Sequence, residues 1–282
     1  MSQNITKIKS RIRTVNSAYK VTSAMKLVSS VKLRTWKSKM IANKRFADEI
    51  LATANDVLCY LQDIENPFIN GYSNATKNLY VVVSSSLGLC GAYNTNIFKL
   101  SHANIKKEDD AIILGKKGII HFANDQFNKL TDFENFDSIK SAVMVKSLAR
   151  HLVKLYSTGQ YKEVHIIYTE YRNPIVFTSK DLRLLPLASV DSKESCVGYP
   201  PLLEPSKEEL LEKLVPFIIN NVTYSCILEA EVCEQAARNN AMENATDNAE
   251  ELLNDLQIEF NKARQDAITQ EIVEIAAAAN AI

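Results

Sequence analysis

The chain has 282 residues, 46% of them hydrophobic, and its 33 Lys/Arg balance its 33 Asp/Glu. That is enough apolar material for one large core or two smaller ones. Five cysteines, Cys59, Cys90, Cys196, Cys226 and Cys233, form no C-x-x-C pair and no even framework, which excludes a disulfide scaffold and fits a reducing compartment. No run of 18 apolar residues offers a bilayer span, so direct membrane insertion is excluded, and no apolar signal core precedes a cleavage site.

The zero net charge is unevenly spread. Residues 1–60 carry 12 Lys/Arg against 3 Asp/Glu, residues 61–203 carry 16 against 14, and residues 204–282 carry 5 against 16. The seven glycines and seven prolines crowd between residues 66 and 216, so the ends read as rods and the centre as a domain.

Residues 4–61 contain neither Gly nor Pro, and Ile5, Ile8, Ile12, Val15 and Tyr19 step by three and four, followed by Thr22 and Met25. This predicts a first long helix, about 87 Å if continuous. Its twelve cations lie between Lys7 and Arg45, and no acid appears before Asp48. The composition imitates an organellar transit peptide, but it runs far past the length of one and keeps an apolar seam.

Asn66-Pro67 and Asn70-Gly71 end the rod and open a linker. Leu79–Val83 is a short apolar, β-branched run, read as a buried strand. Gly88-Leu89-Cys90-Gly91 turns the chain into a helix from Asn94 to about Lys107. Ala111–Leu114 repeats the buried-strand pattern, and Gly115-Lys116-Lys117-Gly118 follows as a turn. A helix over Val143–Tyr156 leads to a strand at Val164–Tyr168, and a further strand near Ile175–Leu185 is placed antiparallel at the edge. Strands alternating with helices imply an α/β sheet domain over 77–200. Pro200, Pro201 and Pro205 close it, and Ser206 is the N-cap of a short acidic helix that ends or bends at Pro216.

From Phe217 to Ile275 there is again no Gly or Pro. Leu253, Leu256, Phe260, Ala263 and Ala267 return at three and four, the seam of a helix packed along a partner helix. At roughly 88 Å this second rod matches the first in length and opposes it in charge. The economical arrangement is an antiparallel coiled coil made from residues 1–65 and 206–282. A compact ball of this size has a radius of gyration of only about 19 Å, so such a rod is expected to protrude.

Chemistry is sparse. Gly115-Lys116-Lys117-Gly118 has neither G-x-x-x-x-G-K-[ST] nor G-x-G-x-x-G spacing, so a plain turn is expected, with no nucleotide or other cofactor. Cys90 has no histidine near it in sequence and reads as part of a structural turn. His102, His121, His151 and His165 show no metal-ligand spacing, and no metal site is expected. The basic rod has few aromatics for stacking, and the acidic rod would cancel much of its field, which argues against nucleic acid. Catalytic residues are not expected. The uncharged, alanine-rich end Ile275–Ile282 reads either as a frayed terminus or as a slim tip within an apolar sleeve.

Lys20-Val21-Thr22-Ser23-Ala24-Met25-Lys26-Leu27-Val28 resembles the N-terminal signature of the gamma subunits of F-type ATP synthases. Glu234–Ala249, with Gln235-Ala236-Ala237-Arg238-Asn239-Asn240-Ala241-Met242 at its centre, and Arg264-Gln265-Asp266-Ala267-Ile268-Thr269-Gln270-Glu271 resemble the C-terminal one. Gly88-Leu89-Cys90-Gly91 matches the turn of the family's central domain, so the likeness runs the length of the chain. It implies a long antiparallel coiled coil of N- and C-terminal helices with an inserted Rossmann-like α/β domain. The implied role is a non-catalytic rotor within three alpha and three beta subunits, whose α/β domain meets epsilon and the membrane c-ring. Lys20, Met25, Lys26 and Lys32 would then face acidic loops of beta near Arg238. Arg264, Gln265, Thr269, Glu271 and Glu274 would make the upper contacts. The implied location is the cytoplasmic face of a bacterial membrane, or alternatively the matrix face of the mitochondrial inner membrane. Ser23 replaces a common lysine, and Ser86-Leu87 replaces an Asp-Arg pair. A coiled-coil adaptor without a rotary role is the alternative that the rods leave open.

Overall fold

The structure, a computed structural model, describes residues 2–60, 65–133, 142–173, 176–187, 204 and 206–280. Pro200, Pro201, Pro205, Cys196 and the last two residues of the alanine-rich end lie outside the described residues. In chain order the elements are α1 (Ser2–Cys59), α2 (Pro67–Asn70), β1 (Lys77–Val83), α3 (Tyr93–Asn104), β2 (Asp110–Leu114) and α4 (Lys116–His121). There follow β3 (Asn128–Leu130), α5 (Ala142–Tyr156), β4 (Tyr161–Tyr171), β5 (Phe177–Leu185) and α6 (Lys207–Asn280). The chain divides into two compact units, Met1–Val31 with Arg238–Ile282, and Lys32–Ala237.

The first unit is a helical hairpin. Along α1 the predicted seam holds: Ile8 and Ser29 are buried, and Ile5, Ile12, Val15, Tyr19, Thr22 and Met25 are half-buried. Along α6 Met242, Thr246, Ala249 and Leu256 are buried, with Leu253, Phe260, Ala263 and Ala267 half-buried. These are the alternating threes and fours of a coiled-coil seam. The pairing is antiparallel, because Lys26 meets Glu243 while the earlier Thr22 meets the later Thr246.

The second unit is a five-stranded sheet in the order β3-β2-β1-β4-β5. The first four strands of that order are parallel, and β5 runs antiparallel to β4, as its edge placement predicts. Both faces are covered, which is why the strands read as unbroken apolar runs. Leu79, Val81, Ile112, Leu114 and Ile166 point to one face, against Leu148, Leu152 and Tyr156 of α5 and Leu211, Val215 and Ile219 of α6. Tyr80, Val82, Ile113 and Ile167 point to the other, against Tyr93 and Ile97 of α3, Phe122 after α4, and Cys233 and Ala237 of α6.

Four local expectations are corrected. The Asn66–Gly71 linker is partly helical: the Asn66 side chain accepts from Phe68 N at 2.9 Å and caps α2, and Gly71 ends it at φ 80°. Gly115 makes the expected turn at φ 95°, but Lys116 to Gly118 already belong to α4. The three-residue β3 was not anticipated, being too short to show any period. Ser206 caps its helix as expected, its Oγ accepting from Glu209 N at 3.2 Å, yet that helix does not stop at Pro216. A proline removes one backbone donor and costs about 3 kcal/mol in a helix interior. Burial of Leu211, Val215, Ile218 and Ile219 around it, each at 2% exposure or less, offsets that cost and carries α6 through.

Candidate functional site

The chemical candidates of the sheet unit resolve into structure. Ser84, at the end of β1, donates from Oγ to the Leu114 carbonyl at 2.7 Å and accepts from Gly118 N at 3.0 Å. Lys117 N donates to the Ser85 carbonyl at 3.0 Å. The leading N–H groups of α4, which would cradle a phosphate, are thus already used. A Cβ on Gly115 would stand 2.3 Å from Ser84 O, so glycine here serves close backbone packing rather than ligand approach.

Cys90 is buried and accepts from Asn94 Nδ2 at 3.3 Å, while the same amide donates to Ser85 Oγ at 2.7 Å. These bonds staple the Gly88–Gly91 loop and leave Leu87 and Leu89 exposed at its tip, Leu89 with a φ of 61°. The strand order reverses between β1 and β4, the crevice where open α/β sheets take ligands. Cys233 and Ala237 of α6 pack with Cys90, Tyr93 and Val82 beside that point. Along the rest of β4, α6 continues the cover: Glu229 accepts from Tyr171 N at 3.3 Å, and burial raises its carboxyl pKa. Among the described residues no group of three or more His, Cys, Asp or Glu side chains is placed to hold a metal ion together.

Surface character concentrates on the hairpin. Lys26 Nζ donates to Glu243 Oε1 at 2.7 Å, and that bond raises the lysine pKa. The Thr246 hydroxyl lies 3.0 Å from the Thr22 hydroxyl and within 2.7 Å of the Met242 carbonyl. Beside these ties runs a shallow groove lined by Tyr19, Lys20, Ser23, Ala24, Leu27 and Asn239. On the same stretch of α1, Val21, Leu27 and Val28 are each more than half exposed, interleaved with exposed Lys20. Apolar and cationic groups thus stand side by side on this open helix face.

Of the residues singled out from sequence, Lys20 lies exposed on this hairpin, Met25 is half-buried in its seam and Lys26 bridges the two helices. Lys32 is exposed on the part of α1 that belongs to the sheet unit. Arg264, Gln265, Thr269, Glu271 and Glu274 are all exposed on α6. Arg238 is different: at 4% exposure it is an interior group of the chain, which a sequence motif could not reveal. The exposed aliphatics Ile268, Ile272 and Val273 were missed, although Ile268 and Ile272 lead by steps of four and three to Ile275, a legible signal.

One unit that is an antiparallel helical hairpin of the chain's two ends, and another that is a mostly parallel five-stranded sheet covered by helices on both faces, define a mixed α/β coiled-coil protein. A family profile described as ATP synthase matches residues 4–282. The chain is 35% identical over 280 residues to the ATP synthase gamma chain of Mesoplasma florum, covering 99% of each. It is 34% identical to that of Symbiobacterium thermophilum, covering 100% of this chain and 99% of the relative. The fold matches a chain in the OSCP/F1/c-ring structure of the Euglena gracilis mitochondrial ATP synthase, with a TM-score of 0.71, 20% identity and coverage of 100% and 95%. A chain of the rotor of the same enzyme matches with a TM-score of 0.67 and 20% identity, over 95% of this chain and 100% of that one. The chain belongs to the ATP synthase gamma chain family.

Proposed function

We propose that this chain is the central rotor of an F-type ATP synthase, a non-catalytic subunit that transmits rotation between ion flow through the membrane sector and ATP chemistry on the beta subunits. The observation that carries it is the far end of α6. Continued from the Thr22–Thr246 and Lys26–Glu243 pairs, the antiparallel register brings Ser2 opposite about residue 266. The remainder of α6 up to Asn280 then has no α1 residue to pair with, and it exposes Ile268, Ile272, Val273 and Ile275. A single helix with an apolar surface is unfavourable in water and suits a sleeve supplied by other subunits. Arg264, Gln265, Thr269, Glu271 and Glu274 would meet that sleeve, while Lys20, Met25, Lys26 and Lys32 would meet acidic loops of beta below it. Buried Arg238 serves these contacts by holding the shaft rather than by reaching outward.

The structural neighbours are a rotor and an OSCP/F1/c-ring assembly, which supports F1 and a c-ring as partners here; within this reading the F1 partners are three alpha and three beta subunits with epsilon, and the c-ring lies at the sheet unit. No described helix is long and apolar enough to cross a membrane, so attachment would be peripheral. The bacterial relatives support the cytoplasmic face, with the mitochondrial matrix face as the alternative. The test is co-expression with alpha and beta subunits, followed by sizing and an ATPase assay. A complex of three alpha, three beta and one copy of this chain, with hydrolysis that depends on its presence, is expected. A chain that self-associates and leaves alpha and beta unassembled would instead be a coiled-coil adaptor.

A further inference from the structure

The sequence offers no metal-ligand spacing among its four histidines, but the fold brings two of them together. His102 in the last turn of α3 and His121 in the last turn of α4 place their Nε2 atoms 3.0 Å apart. We propose that this pair is a binding site for an imidazole-preferring transition-metal dication of the zinc class.

Three features of the pair support this. Both rings are held by packing: Phe98 stacks on His121 with centroids 4.0 Å apart and planes 9° from parallel, and the Phe122 ring stands about 5 Å from each imidazole. The remaining nitrogen of His102 has a carboxylate beside it as well: its Nδ1 lies 3.5 Å from Asp125 Oδ2, a buried oxygen that accepts no hydrogen bond in the metal-free chain. A carboxylate behind the non-ligating nitrogen is the arrangement that fixes the tautomer of metal-bound histidines. With the His102 proton on the Nδ1 side facing Asp125, the lone pair is on Nε2, where it accepts from His121 Nε2–H in the metal-free chain and can be given to a metal. Finally, two imidazole nitrogens on one tetrahedral zinc, each at about 2.0–2.1 Å, stand about 3.3 Å apart. The observed separation needs to open by only a few tenths of an ångström.

In the metal-free chain one Nε2 must donate to the other. On binding, that hydrogen bond is replaced by two N–metal bonds, and His121 carries its proton on Nδ1 instead, so both rings remain neutral. Two protein ligands leave the other positions to water, which the 49% exposure of the His102 side chain allows. The bound ion would tie the end of α3 to the end of α4.

The probe is Zn2+ titrated calorimetrically into the metal-free full chain. One site per chain is expected, lost in His102→Ala and His121→Ala and weakened about tenfold in Asp125→Asn, with His151→Ala unchanged. Because the rings pack on Phe98 and Phe122, the alanine variants could fail to fold. Imidazole nitrogen NMR of the wild-type chain covers that case: zinc should shift the Nε2 signals of His102 and His121 and spare those of His151 and His165. No saturable heat, equal heat in the double alanine variant, or shifts confined to other histidines would each overturn the site.

Discussion

Among single residues the most informative is His165 on β4, an imidazole caught between two carboxylates. Its Nδ1 lies 2.8 Å from Asp181 Oδ1 and its Nε2 3.2 Å from Glu163 Oε2, with Tyr80 stacked on the ring at 5.1 Å. Burial alone would pull its pKa down, but the hydrogen bonds and charges of Asp181 and then Glu163 outweigh it, and the net shift is upward. Glu163 moves the other way: burial would raise it, and His165 with Arg183 bring it below its ordinary value. The raised imidazole therefore contributes stability in full below its unfolded pKa of about 6.5, and loses it as pH rises through the folded value. The depressed Glu163 contributes above its unfolded value and loses that as pH falls. His165→Gln should accordingly lower the urea midpoint more at pH 6 than at pH 9. A pH-independent difference would show that the cluster stays neutral.

At the scale of elements, the hairpin is held by packing with few polar ties, and Thr22 opposite Thr246 supplies the direct check of its register. A Thr22→Cys, Thr246→Cys double variant should oxidise to an intramolecular disulfide, since side-chain oxygens 3.0 Å apart imply Cβ atoms near disulfide range. Of the five native cysteines, Cys90, Cys226 and Cys233 are buried and free, and Cys59 and Cys196 are to be replaced by serine so that the engineered pair alone can oxidise. Crosslinks found only between chains would refute the antiparallel hairpin. The seam was legible in sequence, because a 3-4 repeat in α1 faces a 3-4 repeat in α6, whereas the register was not, since neither repeat says which turn meets which. The persistence of α6 through Pro216 was not either, because proline's local cost is offset by tertiary burial of residues around it.

For the whole molecule, the separation of charge is the property that assembly and rotation would use. Lys20 and Lys32 are exposed, and Lys26 is tied to Glu243, so reversing all three to glutamate replaces one surface ion pair by a like-charge contact and turns a cationic belt acidic. The hairpin should still fold, because its seam is untouched and exposed ion pairs contribute little. In a rotor that passes acidic loops, like-charge repulsion at one angle should slow ATP hydrolysis by about tenfold or uncouple it from ion pumping. Raised salt should relieve part of the defect. Membrane vesicles carrying the assembled complex, measured across an ionic-strength series, provide the readout, and unchanged coupling would reduce the belt to a solvated face.

Local pattern determined much of this protein from its sequence alone. Helical periodicity without Gly or Pro marks both rods, apolar β-branched runs mark β1, β2 and β4, and motif order marks the family, because each is written in neighbouring residues. What depends on distance across the fold was decided only by tertiary structure. Arg238 is interior, β3 forms as a three-residue partner of β2, and Cys233 and Ala237 of α6 join the buried cluster on one face of β1 and β4. The meeting of His102 with His121 belongs to the same class, since 19 residues separate them and no spacing rule connects the ends of two different helices. Burial and convergence arise from packing between segments remote in the chain, which a one-dimensional pattern does not encode.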